Sequence, residues 1–142
     1  MLVAVTAALM WIASSATPSF AFVIPARSLW TAILMPTGVI ISGLGVASFR
    51  RASTTVNPMK PESSSVLVDS GIYRLTRNPM YLGFLLVLVG WAIFLSNIFA
   101  FLLLPVFILY MNRFQIEPEE RALTAKFGPS FVAYKTRVRR WL

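Results

Sequence analysis

The segment that decides the fold is MYLGFLLVLVGWAIFLSNIFAFLLLPVFILYM, residues 80–111, which contains no charged residue. As one straight α-helix it would be about 48 Å long, whereas the hydrocarbon core of a bilayer is about 30 Å thick. Tilting absorbs only part of such an excess. Because the polar pair Ser96-Asn97 lies at its middle, the segment predicts a hairpin of two short helices, residues 79–95 and 98–112.

Two further apolar segments precede this hairpin, at residues 2–22 and 29–49. Each has about the 20 residues that a membrane-crossing helix needs. The second contains Pro and Gly, which membrane helices tolerate because neighbouring groups satisfy the backbone. Gly43 and Gly45 are expected to allow the close approach of another helix.

The first apolar segment has two interpretations. A secretory signal peptide begins with a positively charged region, but only Met1 and Leu2 precede Val3 here. We therefore expect a retained transmembrane helix, kinked or ended by Pro18. A cleaved signal peptide is the alternative.

The composition supports a membrane protein. Of the 142 residues, 57% are hydrophobic and 13% are charged, whereas a soluble domain has about 25% charged residues. The chain is therefore predicted to be all-α: one integral membrane domain, residues 1–142, with four transmembrane helices. It has no Cys and no His, which excludes disulfides, thiolate chemistry and an imidazole base, and no metal site is expected.

The charge distribution predicts the orientation. The net charge is +8. A basic excess of this kind is typical of proteins that bind nucleic acid or an anionic membrane. Because charges are few overall, the membrane is favoured and no nucleic acid is expected. Only Arg27 lies between the first two spans, and the other basic residues lie in the 50–78 loop and the 113–142 tail. The positive-inside rule places both segments, and hence both termini, in the cytoplasm. The compact size suits a bacterial inner membrane. The sequence indicates no oligomeric state.

The loop and the tail have their own local patterns. Residues 66–68 predict a short extended piece followed by a turn, and Asn78 is expected to cap a helix that begins at Pro79. In the tail, Pro118 and Gly128 bracket a helix of residues 117–127. An ion pair between Glu117 and Arg121 is expected on it.

A second tail helix is predicted to begin at Pro129. Its apolar residues are expected to share one face, and basic residues surround them. This pattern is typical of an interfacial helix lying against anionic lipid. The residues of that face are Phe131, Tyr134, Val138 and Trp141.

Two polar motifs flank the hairpin. GIYRLTRNPMYLG, residues 71–83, resembles the G-x-Y-x-x-x-R-H-P-x-Y-x-G signature of the isoprenylcysteine carboxyl methyltransferase and phospholipid methyltransferase superfamily. EERALTAKFGPSFVAYKTRVRRW, residues 119–141, is similar to its second signature, a Glu-Glu pair followed by L-x-x-x-F-G-x-x-[FY]-x-x-Y. The resemblance covers about the last 75 residues and implies an integral membrane methyltransferase that uses S-adenosylmethionine.

The resemblance also implies site residues. Arg77, Asn78 and Tyr81 would lie in the cofactor site, with Asn78 at the family's usual His position. Glu119 and Glu120 would lie on the other side of that site. Asn donates and accepts hydrogen bonds but is no base near neutral pH, so a proton-acceptor role for that His would not carry over.

The residue types suit the cofactor without the resemblance. S-adenosylmethionine carries a sulfonium, an ammonium, a carboxylate and an adenine, and it needs carboxylates, Arg or N–H donors, and aromatic surface respectively. Methyl transfer needs alignment and water exclusion more than a strong base. Arg113 and Arg137 are further candidates for contacts with the substrate, which is expected to be a lipophilic small molecule or a lipid.

Each feature also has a structural interpretation. The two glutamates could complement a helix N-terminus, and the arginines and tyrosines could be membrane anchors. The alternative functions are a non-catalytic structural or accessory membrane protein and a family member that has lost activity. No residue pattern selects the methyl acceptor.

Overall fold

The computed structural model describes residues 1–51 and 67–142, and all of the named elements in these ranges are helical. The α-helices are α1 (Leu2–Ala16), α2 (Arg27–Arg51), α3 (Pro79–Leu95), α4 (Ile98–Tyr110), α5 (Glu117–Phe127) and α6 (Pro129–Arg137). Short 3₁₀ turns span Pro18–Phe20 and Gly71–Arg74, and a π-helical segment spans Met111–Ile116. The all-α prediction is thus confirmed for these residues. Most of the predicted 50–78 loop lies outside the described residues, as does Val66 of the predicted extended piece.

The hairpin turn is confirmed at the predicted pair. Ser96 adopts a positive φ of 49°, and Asn97, which is completely buried, caps α4 by accepting a hydrogen bond from the Phe99 N–H at 2.9 Å. The Asn97 amide also donates to the Thr17 carbonyl at 2.8 Å. The two polar residues therefore end α3, start α4 and hold the chain that follows α1.

The helix of the predicted first span, residues 2–22, is shorter than expected. Helix α1 ends at Ala16, and Pro18 opens the 3₁₀ turn that follows. Proline has no N–H to continue the helical ladder. The Thr17 carbonyl instead accepts hydrogen bonds from the Phe20 N–H at 3.1 Å and from the Asn97 amide at 2.8 Å. The expectation that Pro18 ends this helix is confirmed.

The helix of the fourth span does not end at residue 112 as predicted, since α4 continues through the π-helical segment into α5. The end of the membrane span itself stays a prediction. A helix of residues 98–127 results, with charged residues confined to the part after its apolar portion. Pro118 has no N–H for an α-helical bond to residue 114. The π turn lies directly before it and changes the bonding pattern there, so the chain passes the proline without a break.

Two helices are long and apolar enough to cross a membrane among the described residues, Arg27–Arg51 and Ile98–Phe127. Two shorter apolar helices, Leu2–Ala16 and Pro79–Leu95, complete the set. Large apolar side chains such as Ile40, Leu102 and Leu109 are exposed along them, which suits contact with lipid rather than water. The chain therefore has membrane character, and the four-span topology stays a prediction.

The chain divides into two compact units, residues 1–40 with 83–110 and residues 41–82 with 111–142. In the first unit, α1 packs on α4, and the Trp91 indole donates to the Ala7 carbonyl at 3.1 Å. In the second unit, Gly45 lies where a Cβ would come 2.9 Å from Met80 Cγ. The expected close approach is thus confirmed at Gly45, while Gly43 has open space. The prediction of one domain stays a prediction.

The apolar face of α6 is not free for lipid, which corrects the prediction of an interfacial helix. Phe131, Tyr134 and Val138 are buried in a cluster of the second unit, packed against Leu67, Leu123 and Phe127. The Tyr134 hydroxyl donates to the Tyr73 carbonyl at 2.7 Å. Moreover, α6 ends at Arg137, so Trp141 lies beyond it. Attraction of anionic lipid would rest on the exposed basic side chains alone.

Two glycines of α2 provide a matched pair for a test of packing. A Cβ at Gly38 would clash with the Gly83 carbonyl oxygen and lie 2.9 Å from Val87 Cγ2, whereas a Cβ at Gly43 meets nothing within 4 Å. We expect Gly43→Ala to stabilise the protein by up to about 1 kcal/mol through helix propensity, and Gly38→Ala to destabilise it by about 1–3 kcal/mol through overpacking. Unfolding in mixed micelles measures both. Equal effects of the two substitutions would contradict the packing of Gly38.

Candidate functional site

The two polar motifs meet in the second unit, and their contacts are direct. The Arg77 Nη2 atom lies 3.2 Å from Glu120 Oε1, and the Tyr81 hydroxyl donates to Glu119 Oε2 at 3.0 Å. Pro79 begins α3, which holds Tyr81 on its first turn. Glu119 and Glu120 lie on the first turn of α5. The residues that sequence analysis selected from the two motifs are therefore neighbours.

Glu119 and Glu120 have different surroundings because adjacent residues of a helix point about 100° apart. Glu120 is buried and lies among cations, whereas Glu119 faces the Tyr81 hydroxyl. Burial, and to a smaller extent the negative charge of Glu120, raise the pKa of Glu119 to about 7, against the lowering effect of the Tyr81 hydrogen bond. Glu119 thus changes its protonation state near neutral pH.

The segment after α6, Val138–Leu142, is here called the C-terminal strap, and the Gly71–Gly83 motif binds it. The Arg77 N–H donates to the Arg139 carbonyl at 3.0 Å. Two side chains, Asn78 Nδ2 at 2.9 Å and Thr76 Oγ1 at 3.3 Å, donate to the Arg140 carbonyl. Asn78 directly precedes α3, which is the position expected of a helix cap. Its side-chain amide, however, donates to the strap.

The strap contributes a charged group to the site. The Arg140 guanidinium forms two hydrogen bonds with Glu120, from Nε at 3.1 Å and from Nη2 at 2.9 Å. Lys135 of α6 lies 3.8 Å from the same carboxylate. Sequence analysis missed both residues as site components and interpreted them as lipid-facing charge. The second family-like motif, which extends to Trp141, was the available signal.

Two candidates for substrate contacts, Arg113 and Arg137, lie outside this cluster. Arg113 forms an exposed ion pair with Glu117 at 3.3 Å, and Arg137 lies 3.8 Å from Asp69, also exposed. Arg113 is therefore the ion-pair partner of Glu117, whereas Arg121 Nε donates to the Glu117 main-chain carbonyl. The expected Glu117–Arg121 ion pair is wrong in its partner, because the helix continues upstream and places Arg113 one turn before Glu117.

The site can hold both signs of charge. Its carboxyl and hydroxyl groups suit a cationic ligand group, and its guanidinium groups suit an anionic one. The Nε and Nη1 atoms of Arg77 are buried without a hydrogen-bond acceptor among the described residues. Buried donors without an acceptor are costly, so a further acceptor beside Arg77 would be favourable.

Apolar helices with exposed apolar side chains are the arrangement of a helical membrane protein. The comparisons assign the family. The family model described as phospholipid methyltransferase matches residues 26–130. The chain therefore belongs to the phospholipid methyltransferase family, as its two motifs indicated.

Relatives with isoprenylcysteine methyltransferase names support this assignment. The chain is similar to the protein-S-isoprenylcysteine O-methyltransferase of Saccharomyces cerevisiae, with 37% identity over 82 residues, 56% of this chain and 33% of the relative. It is 31% identical to protein-S-isoprenylcysteine O-methyltransferase B of Arabidopsis thaliana over 106 residues, 75% of this chain and 50% of the relative. The chain thus spans between a third and half of the length of these named relatives.

A shorter relative matches more strongly. An uncharacterized protein of Haemophilus influenzae is 49% identical over 63 residues, which are 44% of this chain and the whole of that protein. No solved structure matches the chain significantly.

Glu119 supplies a test based on pH. Its pKa in the folded protein, about 7, is higher than the ordinary value of 4.5, so between these values the folded state binds the proton more strongly than the unfolded state. The stability contributed by this proton is complete below about pH 4.5 and is lost as the pH rises through 7. The loss amounts to about 3 kcal/mol at most, on the order of 1.4 kcal/mol per pKa unit.

Glu119→Gln cannot ionise and should lack this loss. We expect it to gain stability relative to the wild type between pH 5 and pH 8, whereas Glu117→Gln, on the exposed side of the same turn, should not. The free energy of unfolding in mixed micelles at the two pH values measures the difference. If the difference in free energy of unfolding between the wild type and Glu119→Gln is the same at both pH values, Glu119 is already charged at pH 5.

Proposed function

We propose that the protein transfers a methyl group from S-adenosylmethionine to a lipophilic or lipid-linked acceptor at the boundary between membrane and cytoplasm. The observation that carries this proposal is the convergence of the two motifs, in which Tyr81 contacts Glu119 and Arg77 contacts Glu120. Membership of a methyltransferase family supports the reaction class. The names of the longer relatives support a lipid-linked acceptor.

The donor set fits the cofactor. The Arg77 donors that have no acceptor among the described residues suit its carboxylate, as do the neighbouring cations, and Glu119, once deprotonated, suits its positive charge. S-adenosylmethionine, when bound, supplies a methyl group activated by the sulfonium. The Tyr81 hydroxyl fixes the Glu119 carboxyl, and Asn78 fixes the strap. The chain's contribution is thus alignment and charge compensation, which is what an in-line displacement requires.

The proposed topology has four spans with both termini in the cytoplasm of a bacterial inner membrane. The motif after residue 70 and the tail then lie on the cytoplasmic side, where the soluble cofactor enters, while the acceptor arrives from the lipid. Exposed basic side chains such as Lys135 and Arg139 would attract anionic headgroups. A non-catalytic accessory role is the competing function, and it requires no affinity for adenosyl ligands.

Titration of the purified full chain with S-adenosylhomocysteine by calorimetry tests the proposal. We expect binding by the wild type and a loss of about tenfold in affinity for Tyr81→Phe and for Glu119→Gln, because each removes a polar contact from a buried group. Glu117→Gln, an exposed change on the same helix turn, is the control and should bind like the wild type.

Two results would count against the enzyme assignment. One is the absence of binding by a folded wild-type protein. The other is equal affinity of the wild type, Tyr81→Phe, Glu119→Gln and the control, which would place any adenosyl site elsewhere.

A further inference from the structure

Glu120 is surrounded by more positive charge than it can neutralise. Arg77, Lys135 and Arg140 each lie within 4 Å of its carboxylate. One carboxylate balances one of these cations. Glu117, the next carboxylate along this side of α5, is already paired with Arg113. A ligand cation brought to Glu120 would have to approach three like charges, which is unfavourable at short range.

The positions of these cations are fixed by the fold. The Arg140 backbone is held by Asn78 and Thr76 through its carbonyl. The next residue of the strap, Trp141, donates its indole N–H to Asn112 Oδ1 at 3.1 Å. Arg77 has a side chain only 11% exposed. Glu120 thus works as the counter-ion that keeps buried or half-buried cations together.

The cluster also has unused binding capacity and an opening. Two donors of Arg77 have no acceptor among the described residues. A groove of about 570 Å³ is lined by two carboxylates and three cations, together with Thr124 and Ala125; the charged residues are Glu117, Glu120, Arg121, Lys135 and Arg140. Lys135 and Arg140 are both partly exposed, so a ligand in the groove can reach them, and Arg77, which contacts the same carboxylate, adds positive potential.

We propose that Glu120 does not receive the positive charge of the cofactor but organises Arg77, Lys135 and Arg140 into a binding site for an anionic oxygen group, a carboxylate or a phosphate, at this groove. The inference rests on the proposed function for its most direct ligand, the carboxylate of the cofactor. The two adjacent glutamates then have separate roles, Glu119 toward cations and Glu120 toward the structure of an anion site. Sequence similarity alone gave both the same role.

The test compares two adenosyl ligands in the same protein. S-adenosylhomocysteine carries the amino-acid group, and 5′-methylthioadenosine lacks it. The ratio of their affinities is measured by calorimetry on the full chain in a phosphate-free sugar detergent. Because misfolding weakens both ligands together, the ratio reports the amino-acid contacts alone. The variants are Arg140→Gln and Lys135→Gln, and Arg139→Gln is the matched control, since its side chain is exposed and it removes the same charge from the strap.

We expect Arg140→Gln to weaken S-adenosylhomocysteine about tenfold relative to 5′-methylthioadenosine, Lys135→Gln to weaken it less, and Arg139→Gln to leave the ratio unchanged. A parallel titration with dihexanoyl phosphatidylglycerol, kept monomeric, separates the two sources of the anion. If the same variants weaken this lipid about tenfold and leave the adenosyl ratio unchanged, the site takes a lipid phosphate.

The inference is overturned if Arg140→Gln weakens neither ligand beyond the control. It is also overturned if Arg140→Gln tightens S-adenosylhomocysteine relative to 5′-methylthioadenosine, because a freed Glu120 would then be receiving the ligand's ammonium group. Failure of the proposed function gives a different result. The wild type would then bind neither adenosyl ligand, and the lipid titration alone would decide the anion site.

Discussion

Replacement of Glu120 by alanine is expected to lower the free energy of unfolding by about 3–5 kcal/mol, because it leaves buried cations without their counter-ion. We expect the largest penalty at Arg77, because its side chain is only 11% exposed and two of its donors already have no acceptor among the described residues. Arg140 loses both side-chain hydrogen bonds to this carboxylate.

Glu117→Ala is the matched control for this change. It removes a carboxylate from the same first turn of α5 but breaks an exposed pair with Arg113, which costs about 1 kcal/mol or less. Unfolding of both variants in mixed micelles, followed by circular dichroism, measures the contrast. A Glu120→Ala protein as stable as Glu117→Ala would mean that the cations around Glu120 do not depend on it.

Asn97→Ala is expected to destabilise the protein by about 1.5–2.5 kcal/mol. The side chain is fully buried, and its loss removes the cap of α4, worth about 1 kcal/mol. It also removes one of the two donors to the Thr17 carbonyl, which keeps the Phe20 N–H, at a cost of about 0.5–1.5 kcal/mol.

Asn97→Ser divides the two contributions. Serine is a good cap residue but is too short to replace the amide that reaches Thr17, so its stability should lie between those of the wild type and Asn97→Ala. The same unfolding assay applies. Should Asn97→Ala cost less than about 1 kcal/mol, the turn would not be the point that joins the end of α1 to the hairpin.

The hairpin and the tail helices were predictable because their signals are local. An apolar segment too long for one span, with a polar pair at its centre, leads to the turn at Ser96 and Asn97. Pro118 and Gly128 mark the bounds of α5 in the same way. The end of α4 was not predictable, because whether a helix stops before a proline or passes it through a π turn depends on the backbone geometry of the preceding residues.

The site was predictable in its motifs but not in its composition. The convergence of Arg77 and Tyr81 with the two glutamates follows from a hairpin that returns the chain. Arg140 was not identified, because its role depends on the path of the strap after α6, which no periodicity encodes. The burial of Phe131 and Tyr134 was misassigned for a related reason, since an apolar helix face looks the same in sequence whether lipid or protein covers it.

The central claim is that the Gly71–Gly83 motif and the tail together hold S-adenosylmethionine. The most direct test is ultraviolet cross-linking of the full chain in nanodiscs with S-adenosyl-[methyl-³H]methionine, followed by mapping of the labelled peptides. The account predicts label in peptides from residues 71–83 and 117–142, removed by excess S-adenosylhomocysteine. Label confined to residues 1–51, or the absence of any label that S-adenosylhomocysteine removes, would contradict it.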